Sequence, residues 1–222
     1  DRFDTGVAFS LMDLSVEAEA FGAPVHYSED EVPTVHGTLI HDEDEADALK
    51  VPKVGDGRTG ECVEGIRRAC ELITDRPVLA GVIGPFSLAG RLMDVTSSLI
   101  YCYDEPDMAH VVLEKSTEFI IKYIKAYKAI GANGVVIAEP LAGLLSPSLA
   151  VEFSGDYCKR IVEEVKDENF AVIYHNCGNT ANVTLDSILS AHANAYHFGN
   201  AVDMEEIMSK VPSDVICMGN VD

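Results

Sequence analysis

The stretch Phe170-Ala-Val-Ile-Tyr-His-Asn-Cys-Gly178 joins a short apolar run to a cluster of chemically active side chains. Phe170 to Tyr174 is continuously apolar, as expected of a strand buried on both faces. Side chains two apart on a strand point the same way, so His175 and Cys177 face one side together while Asn176 faces the other. An imidazole and a thiol side by side are two soft metal ligands, half of a zinc site. A catalytic zinc takes three protein ligands and keeps one position open, so the remainder has to come from elsewhere in the fold. Read alone, the tripeptide is explained more simply by a core thiol and a hydrogen-bonded histidine. What surrounds the strand changes that balance.

The same apolar pattern recurs at Gly6–Ser10, Pro77–Gly84, Gly134–Pro140, Ala195–Phe198 and Val215–Met218, giving six strands in all. Helical spacing separates them. It runs from Val112 to Ile130 with Gly131 and Asn133-Gly134 as the stop, and from Ser146-Pro147, an N-cap and N1 pair, through Val165. Glu61–Ile73, Val183–Ala191 and Met204–Val211 complete the set, while the segment from Val25 to Val54 has little helical period and room for a hairpin between Val25 and Ile40. Alternating apolar strands and helices mean a parallel sheet, doubly wound or closed as a barrel, with chemistry beyond the carboxyl ends of the strands. Polar residues collect there: Asp13, Ser87, Arg91, Glu139, His175, Cys177, His197, Asn200, Asn220 and Asp222. No glycine-rich phosphate loop accompanies them.

Composition narrows the class. The 222 residues are 47% hydrophobic, enough for a sizeable core, and carry 16 basic against 37 acidic side chains. A net charge of −21 repels a phosphate backbone, which argues against nucleic acid as a partner. The acidic runs at Glu29–Glu31 and Asp42–Asp47 read as solvated loops. The longest apolar stretch, Pro77–Gly90, is too short for a bilayer and is broken by Gly81, Gly84 and Pro85. The opening Asp1-Arg2-Phe3-Asp4 has no secretory signal character. Six cysteines without a Cys-x-x-Cys suit reduced thiols. A cytoplasmic protein with no membrane partner is the expectation.

The segments Asp13-Leu-Ser-Val-Glu-Ala-Glu-Ala-Phe-Gly22, Gly84-Pro-Phe-Ser-Leu-Ala89, Leu141-Ala-Gly-Leu-Leu-Ser-Pro147, His175-Asn-Cys-Gly178 and Gly219-Asn-Val-Asp222, in that order, resemble the uroporphyrinogen decarboxylase superfamily. They resemble most closely its methylcobamide:thiol, coenzyme M-type, methyltransferase branch. The resemblance implies a (β/α)8 TIM-type barrel of which the six strands are the second to seventh. It places the first and last strands before Asp1 and after Asp222, so residues 1–222 are expected to form a single barrel domain, incomplete at both ends. An incomplete barrel exposes edge strands and invites homo-oligomer formation.

Within the superfamily two chemistries separate at named positions. Asp13 falls where decarboxylases place the Asp that stabilises the tetrapyrrole nitrogens. Against that reading, Arg91 stands where a functional Tyr is found, Ala138-Glu139-Pro140 replaces Phe-Asp-Ser or Phe-Glu-Ser, and the decarboxylases carry no His-x-Cys. The methyltransferase branch implies zinc, with His175 and Cys177 as two ligands and a further Cys beyond Asp222 as the third, Cys217 reading as core. It also implies a methylated corrinoid, carried by a partner protein, as donor and a small thiol as acceptor. Asp13 and Glu139 are then candidate catalytic carboxylates, and Ser87, Arg91 and His197 candidate substrate contacts. Arg91 is suited to an anionic tail such as a sulfonate. Plainer roles stand beside these: a capping group for Glu139, an N-cap for Ser87, a surface position for Arg91 and a core hydrogen bond for His197. The alternatives are a metal-free tetrapyrrole decarboxylase and a non-catalytic corrinoid- or tetrapyrrole-binding barrel.

Overall fold

Ten helices and eight strands alternate along the chain in a computed structural model that describes residues 5–179, 181 and 183–220. The order is β1 (Ala8–Phe9), α1 (Val16–Ala20), β2 (Val25–His26), β3 (Thr34–Val35), α2 (Glu43–Ala48), α3 (Thr59–Leu72), β4 (Val78–Ile83), α4 (Pro85–Met93), α5 (Val95–Asp104) and α6 (Pro106–Ala129). There follow β5 (Gly134–Ala138), α7 (Pro147–Ala150), α8 (Asp156–Val165), β6 (Ala171–Asn176), α9 (Leu185–Ser190), β7 (Ala195–Phe198), α10 (Met204–Lys210) and β8 (Ile216–Met218). Six strands form one parallel sheet in the order β1-β4-β5-β6-β7-β8, and β2 pairs with β3 as the short antiparallel hairpin for which the sequence left room. The order never reverses, so there is no doubly wound switch point. The sheet is a curled half-barrel, the wall of a partial TIM barrel.

Register sorts the side chains into two faces. Val82, Ile137, Tyr174 and Tyr196 lie level across β4 to β7 and are buried beneath the helices. Ile83, Ala138, His175, His197 and Met218 lie level on the concave face. On β6 the alternation is complete: Val172, Tyr174 and Asn176 are buried, while Ala171, Ile173 and His175 are half-buried. Cys217 shares its register position with Tyr196, on the helix side. Helix α6 spans 24 residues and buries Val112, Phe119, Ile120, Tyr123, Ile124 and Tyr127, the periodic set read from the sequence. Gly131, with φ of 99°, turns the chain out of it.

The structure divides one predicted helix. From Pro147 to Val165 the chain makes a single α-turn, a π-helical segment at Val151–Gly155, and then α8. The Ser187 hydroxyl donates to the Ala150 carbonyl at 2.7 Å, and Gly155 lies against the same serine, where a Cβ would come within 2.8 Å of Oγ. Close packing of α9 on this turn accounts for the widened winding. Among the described residues no helix is long and apolar enough to cross a membrane.

Candidate functional site

Strand β6, in the middle of the sheet, carries His175, with Cys177 just beyond its end. His175 ends β6 on the concave face, and its Nδ1 lies 3.2 Å from the carbonyl oxygen of His197 on the neighbouring strand. That contact fixes Nδ1 as the protonated nitrogen and leaves the Nε2 lone pair free. Burial, and then the neighbouring His197, lower the pKa of His175, so its ring is neutral at pH 7. The His197 ring lies 4.7 Å away at 30°. Cys177, two residues on, is an exposed free thiol. Its loop is hemmed in by glycines. A Cβ on Gly199 would meet Cys177 Cα and Cβ at 2.8 Å, and a Cβ on Gly143 or Gly178 would meet the other's Cα at 2.8 Å. Here glycine serves close approach of three loops. Asn176 accepts from Gly178 N at 2.8 Å, and Asn220 donates to the Gly199 carbonyl at 2.7 Å, fixing the loops after β6 and β7.

Glu139 and Ser87 are brought together behind the strand ends. Glu139 is fully buried, and its carboxylate accepts from Phe86 N at 2.9 Å, from Ser87 N at 2.6 Å and from the Ser87 hydroxyl. These are the free amides of the first turn of α4, so the carboxylate caps that helix from another strand. Burial, opposed by the Ser87 and Phe86 donors, pushes Glu139 up to about 7. Of the two readings the sequence left open for Glu139, the geometry displays the capping one. Ser87 sits in the first turn of α4, whose N-cap is Gly84.

Arg91, on the last turn of the same helix, is half-buried rather than a surface group at a helix start. Its Nε has no hydrogen-bond partner, and among the described residues the guanidinium makes no ion pair. Burial lowers its pKa, with the charges of Asp13 and then Glu17 opposing. Asp13 itself is already engaged. Its Oδ2 accepts from Arg58 Nη1 at 2.5 Å, and its Oδ1 from Ser15 N and Oγ at 2.9 and 2.7 Å. Burial pushes this carboxyl up, but Arg58 and then Ser15 outweigh it and hold it below its ordinary value. Arg58 also binds Glu19 at 2.6 Å and lies over the Tyr27 ring at 5.1 Å.

Sequence reasoning missed Arg58, which lies 45 residues from Asp13 on a stretch without periodicity. It read Glu17 as part of a family pattern, not as a buried carboxylate bound to the end of β4. Among the described residues no three His, Cys, Asp or Glu side chains converge as a metal cluster.

Residues 1–222 match the family described as uroporphyrinogen decarboxylase (URO-D). The chain is 26% identical over 215 residues to the methylcobamide:CoM methyltransferase MtbA of Methanosarcina acetivorans, covering 95% of this chain and 62% of that protein. It is 29% identical over 228 residues to a uroporphyrinogen decarboxylase of Myxococcus xanthus, covering 100% of this chain and 64% of that one. A solved methyltransferase from Methanosarcina mazei superposes with a TM-score of 0.87 at 23% identity, over 97% of this chain and 64% of its own. The chain thus spans less than two thirds of the length of these relatives.

Proposed function

This chain belongs to the uroporphyrinogen decarboxylase family, and we propose that within it the chain carries the thiol-activating part of a zinc-dependent methyltransferase, which moves a methyl group from a methylated corrinoid protein to a small thiol. The observation that carries the reading is His175 on the concave face, with Nδ1 of its imidazole committed to the His197 carbonyl, followed two residues on by the exposed thiol of Cys177. A neutral imidazole and a thiol are the donor types zinc takes, so the pair fits two of its ligand positions. Zinc, when bound, supplies the Lewis acidity that strips the proton from a coordinated thiol and leaves the sulfur nucleophilic at neutral pH. His175 would hold the metal through Nε2 and Cys177 through Sγ, with His197 keeping the tautomer.

Arg91 would take the anionic end of the acceptor thiol. A desolvated guanidinium without an ion pair is available for a bidentate anion contact. Glu139 and Ser87 support it from a distance, since they anchor the helix that carries it. Asp13, kept ionised by Arg58, adds a fixed negative charge beside Arg91 and limits the anion to one end of the pocket.

Metal analysis of the reduced chain after incubation with zinc tests the proposal. One zinc per chain is expected, lost in Cys177→Ser and kept in Cys217→Ser. An Arg91→Gln variant is expected to raise KM for an anionic thiol roughly tenfold while leaving a neutral thiol nearly unchanged. A wild-type chain that takes up no zinc, or a Cys177→Ser chain that takes up as much, would overturn it.

A further inference from the structure

At the β1 edge of the sheet, with neither His175 nor Cys177 in its lining, a cavity of about 460 Å³ lies between β1, β4 and helices α3 and α6. It exists because β1 is short. Only Ala8 and Phe9 pair with β4, and beyond Ser10 the chain peels away. The Ile83 amide, left without a strand partner, donates instead to Glu17 Oε1 at 3.0 Å. The walls are mainly apolar, among them Leu14, Val16, Ile66 and Val82; Glu17, Cys62, Tyr123 and Tyr127 supply polar lining, and Asp13 and Arg58, already paired with each other, stand at the same cavity.

Glu17 is 2% exposed and makes no ion pair among the described residues. A buried carboxylate ordinarily has a cation or several donors, and a single amide leaves it short. Tyr127 donates its hydroxyl to that of Tyr123 at 2.6 Å, and Tyr123 in turn bonds the Cys62 thiol, so both hydroxyls are engaged away from Glu17. Burial, and then the charge of Glu17, keep the Cys62 thiol protonated, so it adds no competing anion. The volume falls in the range of small-molecule sites.

We propose that this cavity binds a small organic cation, an amine with a short apolar body, whose ammonium group pairs with Glu17 while its alkyl part lies against the β1 and α3 walls. In its ionised form the carboxylate is acceptor-only and desolvated, so a cationic donor gains more there than a neutral one. The walls reward a few methylene groups. A net charge of −21 raises the concentration of cations around the chain as a whole.

The probe is n-butylammonium, titrated calorimetrically into the whole chain and followed by thermal unfolding, with n-butanol and butyrate as comparisons. Saturable one-to-one binding of butylammonium is expected, with a raised Tm, weaker binding of butanol and none of butyrate. Glu17→Gln is expected to weaken butylammonium at least tenfold. Gly65→Leu provides a second variant. Gly65 is exposed at the rim of the cavity, and a Cβ placed there meets nothing within 4 Å, so the fold accommodates a leucine, which narrows the entrance. The proposal fails if wild type shows no saturable binding, if butanol binds as tightly as the amine, or if folded Glu17→Gln retains full affinity. Should Glu17→Gln not fold, undiminished binding by Gly65→Leu overturns it. Zinc uptake is read separately in each variant and bears only on the methyltransferase reading.

Discussion

Glu139 and Glu17 are both buried carboxyls pushed by burial to about 7, yet the corners they occupy are opposites. Around Glu139 the space is closed. Two amides and a hydroxyl converge on it, and an added Cβ at Gly84 would collide with its carboxylate. Around Glu17 one amide is satisfied and a cavity remains. The same residue type under the same desolvation thus completes a helix terminus in one place and stands short of partners in the other. A raised pKa marks both and distinguishes neither; the count of donors does.

The sharpest way to break this contrast is to remove each carboxylate. Glu139→Ala strands buried donors at the start of α4 and is expected to cost about 4 kcal/mol in urea unfolding. Glu17→Ala leaves one amide beside an existing cavity and is expected to cost about 1 kcal/mol. Equal losses would erase the distinction.

A smaller effect is expected from pH. Each carboxyl has a folded value of about 7 against an ordinary 4.5, so between those limits the folded chain holds protons that the unfolded chain has released. The resulting stabilisation is full at the acid end of that window and is lost as pH rises through 7, by about 3 kcal/mol for each group. Glu17→Gln removes its share, so the difference in stability between variant and wild type should shift toward the variant from pH 5 to pH 8. A difference that stays flat would mean that Glu17 is not desolvated.

The smallest effect concerns the glycines of the two corners. Gly65→Ala adds a methyl in open space inside α3 and is expected to stabilise by about 0.5–1 kcal/mol, from helix propensity alone. Gly84→Ala, by contrast, should destabilise. A gain at both positions would show that the Glu139 corner is looser than its contacts indicate.

The strands were legible because a sheet covered on its outer face by helices demands apolar runs, and Phe170–Tyr174 and Ala195–Phe198 carry that demand openly. The facing of His175 was legible because strand alternation is a local rule, whereas Cys177 falls one residue beyond the end of β6. Helix α4 was harder: eight of its nine residues are buried, so it merges with β4 into one apolar stretch lacking helical contrast. The π-helical turn at Val151–Gly155 follows from α9, a partner more than 30 residues further along the chain. Arg58 belongs to the same class. Nothing in its own neighbourhood states that Asp13, Ser15, Glu19 and Tyr27 will gather around it. Periodicity reports which face a residue turns inward, and it is silent on which distant side chain it will meet.

The meeting of Gly143 and Gly178 has a mechanical consequence. Where two main chains touch, there is no rotamer to yield, so any displacement of one loop is handed to the other undiminished. The sulfur of Cys177 and the carboxylate of Glu139 sit on either side of that joint, and through Glu139 the first turn of α4. Thiol loop, joint and helix start are therefore linked through main-chain contacts, with little side-chain slack between them.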